Sequence, residues 1–180
     1  MISDTGIVLE TGRLIFRQHT MADLDAYCAM EADPDFRRYV GGRPRTREEA
    51  ERRFMEGAIK PATNLLSMWA TILKPARQYI GRCGIYPHFR PDGGVFEREA
   101  ALGLYIATEY SGRGFATEAG RAFVKVGFDE LKLNRIVTAI DSRHDASVNV
   151  IKKLGFELVS TETGNLRSFY HFALENPGAK

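Results

Sequence analysis

The chain has 180 residues, the length of a single domain at roughly 100–200 residues each. Hydrophobic residues make up 44% and charged residues 27%, which excludes a disordered, collagen-like or low-complexity chain. With 25 Lys+Arg against 23 Asp+Glu the net charge is +2, too near neutral for a dedicated nucleic-acid binder, so no direct nucleic-acid binding is expected.

In chain order, Arg13 to Gln18 alternates apolar with polar and reads as a first strand. Thr20 stands three residues before Asp23, a capping-box-like start for a helix from Met21 to about Ala32, which Asp33-Pro34 ends. Thr46 and Glu49 form a T-x-x-E box that opens a second helix, running to about Lys60 and stopped by Pro61. Ser67–Leu73 and Gln78–Tyr86 read as a strand pair around a turn at Lys74–Arg77. Arg90–Gly94 is a second turn, and Phe96–Ile106 a long strand. Gly114–Leu131 reads as a helix, because Ala119, Ala122, Phe123, Val126 and Leu131 recur at helical spacing. Arg135–Ile140 is a strand rich in β-branched residues, and Ala146–Leu154 a short helix stopped by Gly155. Phe156–Thr161 and Ser168–Leu174 close the chain, and the polar tail from Asn176 to Lys180 is expected to fray. The order predicts an α/β fold of α+β character, a mixed sheet with flanking helices in one domain with its core over about 9–175.

Cys28 and Cys83 lie far apart with no CxxC and no paired Cys/His spacing, so neither a disulfide framework nor a metal site is expected. No apolar run reaches the about 18 residues of a membrane span. The opening MISDTGIVLE lacks the basic segment and long apolar core of a signal peptide. The expectation is reduced thiols, a cytoplasmic location and no membrane partner.

The chemistry is concentrated in two stretches. Tyr110-Ser111-Gly112-Arg113-Gly114-Phe115-Ala116-Thr117-Glu118-Ala119 lies between a strand and a long helix. Two glycines one residue apart allow a sharp turn and close approach of a ligand. The helix that follows aims unpaired amides and its positive dipole end at that turn, which makes a seat for phosphate. A plain left-handed turn with an N-cap is the alternative. The dinucleotide pattern G-x-G-x-x-G has Thr117 where its last glycine belongs, and the P-loop pattern is absent. The second stretch is Asp141-Ser142-Arg143-His144-Asp145-Ala146-Ser147, followed by Val150 to Phe156.

With the opening ETGRLIFRQHTMADLDAY, these stretches make the chain resemble the GNAT N-acetyltransferases over about residues 9 to 172. The resemblance is closest to the branch of ribosomal-protein N-terminal acetyltransferases (RimJ/RimL-like). It implies the GNAT acyl-CoA N-acyltransferase fold, in which two parallel strands of the central sheet, here 96–106 and 135–141, splay apart to hold acetyl-CoA. It implies that the amides of Gly112, Arg113, Gly114, Phe115 and Ala116 hold the pyrophosphate, with the Thr117 hydroxyl beside them. Main-chain groups near Leu104 and Ile106 would pair with the pantetheine arm, and His144 and Ser147 would lie along that arm or near the sulfur. The family's tyrosine acid falls at Ile151, so that acid is absent. Ser111, Ala101 and His144 also depart from the branch pattern.

The implied reaction is direct attack of a primary amine on the thioester. The acceptor would be a small molecule or a protein N-terminal α-amine, and a homodimer is common in such enzymes. An α-amino group with a pKa of about 7.7–8.0 needs little help from a base, whereas a lysine amine near 10.4 needs more. Glu99 is the candidate base, read against a solvated charge in Glu97-Arg98-Glu99. Ser147 is the candidate acid to the sulfur, read against a simple helix-terminal hydroxyl. Trp69 reads as core, or else, as the resemblance implies, as a residue whose strand approaches the acceptor. The arginines from Arg37 to Arg53 read as an ion-paired face, or else as a bias toward an acidic or RNA-associated acceptor. An idle acyl-CoA-binding or sensing domain and a nicotinamide-dependent oxidoreductase are the alternatives.

Overall fold

The computed structural model describes residues 6–179. Its centre is an eight-stranded sheet in the order β1-β2-β3-β4-β5-β6-β8-β7. The strands are β1 (Ile7–Glu10), β2 (Leu14–Arg17), β3 (Ser67–Leu73), β4 (Gln78–Phe89), β5 (Val95–Ile106), β6 (Arg135–Asp141), β7 (Glu157–Thr163) and β8 (Ser168–Glu175). All neighbours are antiparallel except β5 and β6, which are parallel. The mixed sheet with one parallel pair is the expected architecture.

The helices are α1 (Leu24–Ala32), α2 (Pro34–Arg37), α3 (Arg47–Arg53), α4 (Phe115–Lys125) and α5 (Asp145–Lys153). The alternation of β2 divides the core. Leu14 and Phe16 point to the α4 side, where Phe16 meets the edge of Phe123 at 4.8 Å between ring centroids. Ile15 points to the α1/α3 side, among Tyr27, Phe54, Ile72 and Tyr79. Trp69 is 1% exposed in the α4-side core. Both cysteines are free and buried. Among the described residues no helix is long and apolar enough to cross a membrane.

Several elements depart from the sequence-based expectation. β1 adds an edge strand that the pattern did not mark. Both capping boxes form, but Met21–Asp23 is a 3₁₀ turn leading into α1. Two helices change pitch before they end: α3 passes into a π-turn at Phe54–Ala58, and α4 into another at Val126–Glu130. Asp33-Pro34 does end α1, yet the Asp33 carboxylate accepts from the Asp35 amide and Pro34 opens the four-residue α2. The C-terminal tail is tied rather than frayed as far as Ala179, because Asn176 bonds the carbonyls of Leu133 and Asn134. Lys180 and the first five residues lie outside the described part.

Candidate active site

β5 and β6 pair only from Glu99↔Arg135 to Ala101↔Val137. Beyond that the strands part, and the last link is a side chain: Thr138 Oγ1 donates to the Leu102 carbonyl at 3.1 Å. Ala107 N–H donates to the Ile80 carbonyl on the β4 side. In a strand, alternate residues present their N–H and C=O to the same side, so those of Leu104 and Ile106 face the gap. The gap opens into a cavity of about 480 Å³, a size that suits a small-molecule ligand.

One wall of the cavity comes from β5 and the turn after it, including Leu104, Tyr105, Ile106, Ser111 and Ala116. The opposite wall comes from β6 and α5, with Asp141, His144, Ser147 and Ile151. A cover runs from Asp35 to Gly41. Tyr39 stacks on His144 with centroids 4.0 Å apart, and the Tyr39 carbonyl accepts from Arg167 Nη2 at 2.6 Å. Arg167 Nε also reaches the Asp141 carboxylate at 2.8 Å, beside three bonds from Arg143. These arginines, Arg143 first, hold the buried Asp141 carboxyl well below the usual carboxylate range against the effect of burial. Asp35 is paired with Arg38 at 2.7 Å. Both carboxylates lining the cavity are therefore already ion-paired.

At the cavity's end, Gly112 and Gly114 both take positive φ (75° and 79°), and α4 starts at Phe115. The amides of Phe115, Ala116 and Thr117 precede the first intrahelical bond, from Glu118 N–H to the Gly114 carbonyl, and so are free for an anion. A Cβ at Gly112 would meet nothing within 4 Å, so the seat is open. Arg13 braces the turn from β2's side. It donates to the Arg113 carbonyl at 3.0 Å, pairs with Glu118 at 2.6 Å and lies 4.5 Å over the Phe115 ring.

The cavity brings together Leu104, Ile106, Ala116, His144 and Ser147, with the glycine turn of Gly112, Arg113 and Gly114 at its end. Glu99 lies elsewhere. It sits on the paired part of the seam, where its carboxylate takes a hydrogen bond from His88 and one from Arg135 at 3.3 Å, and it does not line the cavity. His171 bonds Glu162. Of the arginines near α3, Arg43 pairs with Glu49, Arg45 with buried Glu31, and Arg47 with Asp25 and Glu51. Sequence reasoning missed Tyr39, Thr138, Arg167 and the Arg13 brace. Only the cover had a local signal, the Asp-Pro that opens α2.

An anion seat at one end and an unpaired strand along the floor suit a ligand with a diphosphate head and an amide-bearing arm. The fold, a mixed sheet whose one parallel pair parts, is that of solved GNAT acetyltransferases. The acetyltransferase (GNAT) domain family matches residues 13–157, and the chain belongs to that family. It is an N-acetyltransferase. An uncharacterized N-acetyltransferase p20 of Bacillus licheniformis is 27% identical over 151 residues, 83% of this chain and 82% of that protein. Spermidine N-acetyltransferase from Vibrio cholerae, solved with CoA and spermine, shares the fold at a TM-score of 0.73 and 17% identity, covering 92% of this chain and 97% of that one. Ribosomal-protein-S5-alanine acetyltransferase from Vibrio fischeri does so at 0.73 and 18%, covering 96% and 98%.

Proposed function

We propose that this chain transfers the acetyl group of acetyl-CoA to a protein N-terminal α-amine, as in the RimJ/RimL-like branch that its sequence resembles. The residues fit the cofactor. The amides of Gly112 to Ala116 and the Thr117 hydroxyl would hold the pyrophosphate, and the main chain at Leu104 and Ile106 would hold the arm. The thioester supplies the activated acetyl group. The Ile106 region offers an N–H to the carbonyl oxygen as charge develops there, and Ser147 stands on the cavity wall to give a proton to sulfur. Glu99, on the closed seam and held by His88 and Arg135, would reach the amine only through an intervening water, and it is the alternative to a base on the cavity wall itself.

The observation that carries the choice of acceptor is the pairing of every carboxylate on the cavity wall. A polyamine brings several positive charges that need free carboxylates, and this cavity presents none. An α-amine is about half neutral near pH 8 and needs no such partner. The test begins with thermal unfolding in the presence of acetyl-CoA, with NADH and ATP as controls. Ligand at about 100 times Kd adds roughly 2.7 kcal/mol. Turnover then compares N-terminal peptides with spermidine. A kcat/KM favouring spermidine would overturn the acceptor assignment, and stabilisation by NADH or ATP instead of acetyl-CoA would overturn the cofactor.

A further inference from the structure

His144 and Ser147 meet on the first turn of α5, with Ser147 Oγ 2.8 Å from His144 Nδ1. Both line the cavity. The plane of the imidazole is held by a stack. Its face lies on the Tyr39 ring at 4.0 Å, with the planes 5° apart. Tyr39 is itself held through its carbonyl by Arg167. Within that plane Ser147 Oγ lies nearer Nδ1, at 2.8 Å, than Nε2, at 3.5 Å.

Acyl transfer to an amine forms an N–C bond, breaks the C–S bond and moves one proton from nitrogen to sulfur. The cavity wall offers no unpaired carboxylate to take that proton. We propose that His144 stores it, working through Ser147, in the acetyl transfer proposed above, on which this inference rests. The neutral imidazole carries its proton on Nε2. Its Nδ1 accepts the Ser147 hydroxyl proton while Ser147 Oγ accepts the proton leaving the amine. The same two transfers in reverse place a proton on sulfur as the C–S bond breaks, and both residues return to their starting state. No outside acid or base is consumed. Ser147 is the catalytic residue, and His144 is the positioning residue behind it.

The surroundings favour a neutral resting ring. Burial lowers the imidazole's pKa below the ordinary histidine value, against Asp141 and Asp145, which raise it. Arg143 and Arg167 offset Asp141, Tyr39 covers the ring face, and Arg38 lies 6.0 Å from the Tyr39 centroid. A ring that is neutral at pH 7 can take up a proton transiently.

Two measurements on the full chain test the relay. The first is ¹⁵N NMR of the His144 ring in the ligand-free protein. It should show Nε2 protonated and Nδ1 bare, with the Nδ1 signal moving in Ser147→Ala. A proton on Nδ1 overturns the relay. The second is the pH dependence of kcat. Wild type should lose activity in two steps as pH falls, first through the acceptor amine at about 7.7–8.0 and then through the lower-lying His144. His144→Gln should lower kcat about 100-fold, more than it changes the Kd for CoA, and should abolish the lower limb, whereas Glu99→Gln keeps it. A wild-type profile in His144→Gln, or loss of the limb in Glu99→Gln, overturns the relay. Failure of the underlying transferase reading looks different: no CoA binding and no turnover with any amine, whatever the tautomer.

Discussion

The imidazole of His144 lies flat on the phenol of Tyr39, one on a wall of the cavity and the other on its cover. The stack closes the cover over the site and removes one face of the imidazole from water. Burial is the largest cause of the lowered His144 pKa. Tyr39→Ala should therefore raise that pKa toward the ordinary value of about 6.5. Histidine NMR titration checks it, and an unmoved midpoint would show that the stack contributes nothing to burial of the ring.

The glycine turn separates strain from binding. Gly112→Ala and Gly114→Ala place a side chain at positive φ with no close clash, since the nearest contact is Arg13 at 3.5 Å from a Cβ at Gly114. Each should cost about 1 kcal/mol in denaturant unfolding. Gly114→Glu adds a negative charge in the seat and should abolish stabilisation by acetyl-CoA. An acetyl-CoA response equal to wild type in that variant would place the phosphate seat elsewhere.

Arg13 lies outside the cavity but fixes its anion end. Arg13→Ala removes the bond to the Arg113 carbonyl, the pair with Glu118 and the cover over Phe115. The Arg13 side chain is 48% exposed, so solvent screening limits the effect to about 1 kcal/mol. The Kd for CoA measured by calorimetry should rise about fivefold, with little change in Tm.

His19 makes stability depend on pH. It is 5% exposed among Tyr27, Phe54 and Tyr79, its Nε2 has no partner, and burial lowers its pKa to about 4. The unfolded chain binds its proton first, near pH 6.5. The contribution is therefore whole above that pH and is lost as pH falls from about 6.5 toward 4. At about 1.4 kcal/mol per unit the loss is on the order of 3 kcal/mol. Urea unfolding from pH 7 to 4.5 should show this slope, and His19→Leu should flatten it. An equal slope in the variant would assign the effect to other groups.

Much of the frame was legible because its signals are local. Thr46 and Glu49 announce α3, the Lys74–Arg77 turn separates β3 from β4, and the glycines at 112 and 114 mark the start of α4. The π-turns were not legible, since helical spacing continues through them. Nor were the pieces that complete the site. Arg13 reaches Arg113, Tyr39 reaches His144, and Arg167 returns to Tyr39. These partners lie roughly 100 or more residues apart in sequence, and no local pattern encodes such a meeting. Glu99 shows the converse. Strand alternation placed it on a face, but only the fold shows that His88 and Arg135 hold its carboxylate.

The seam between β5 and β6 also bears on how the sheet carries load. From β1 to β5 the strands form one panel and from β6 to β8 another, joined at one end by the pairing from Glu99 to Ala101, the Asn134 amide on the Arg98 carbonyl, and the Thr138 link to Leu102. A panel torn part-way is weakest at the tip of the tear. A ligand bonded to one lip and packed against the other works as a rivet there. The same molecule that brings the acetyl group would then stiffen the whole sheet, and the stiffness would persist after the acetyl group has gone, until CoA itself departs.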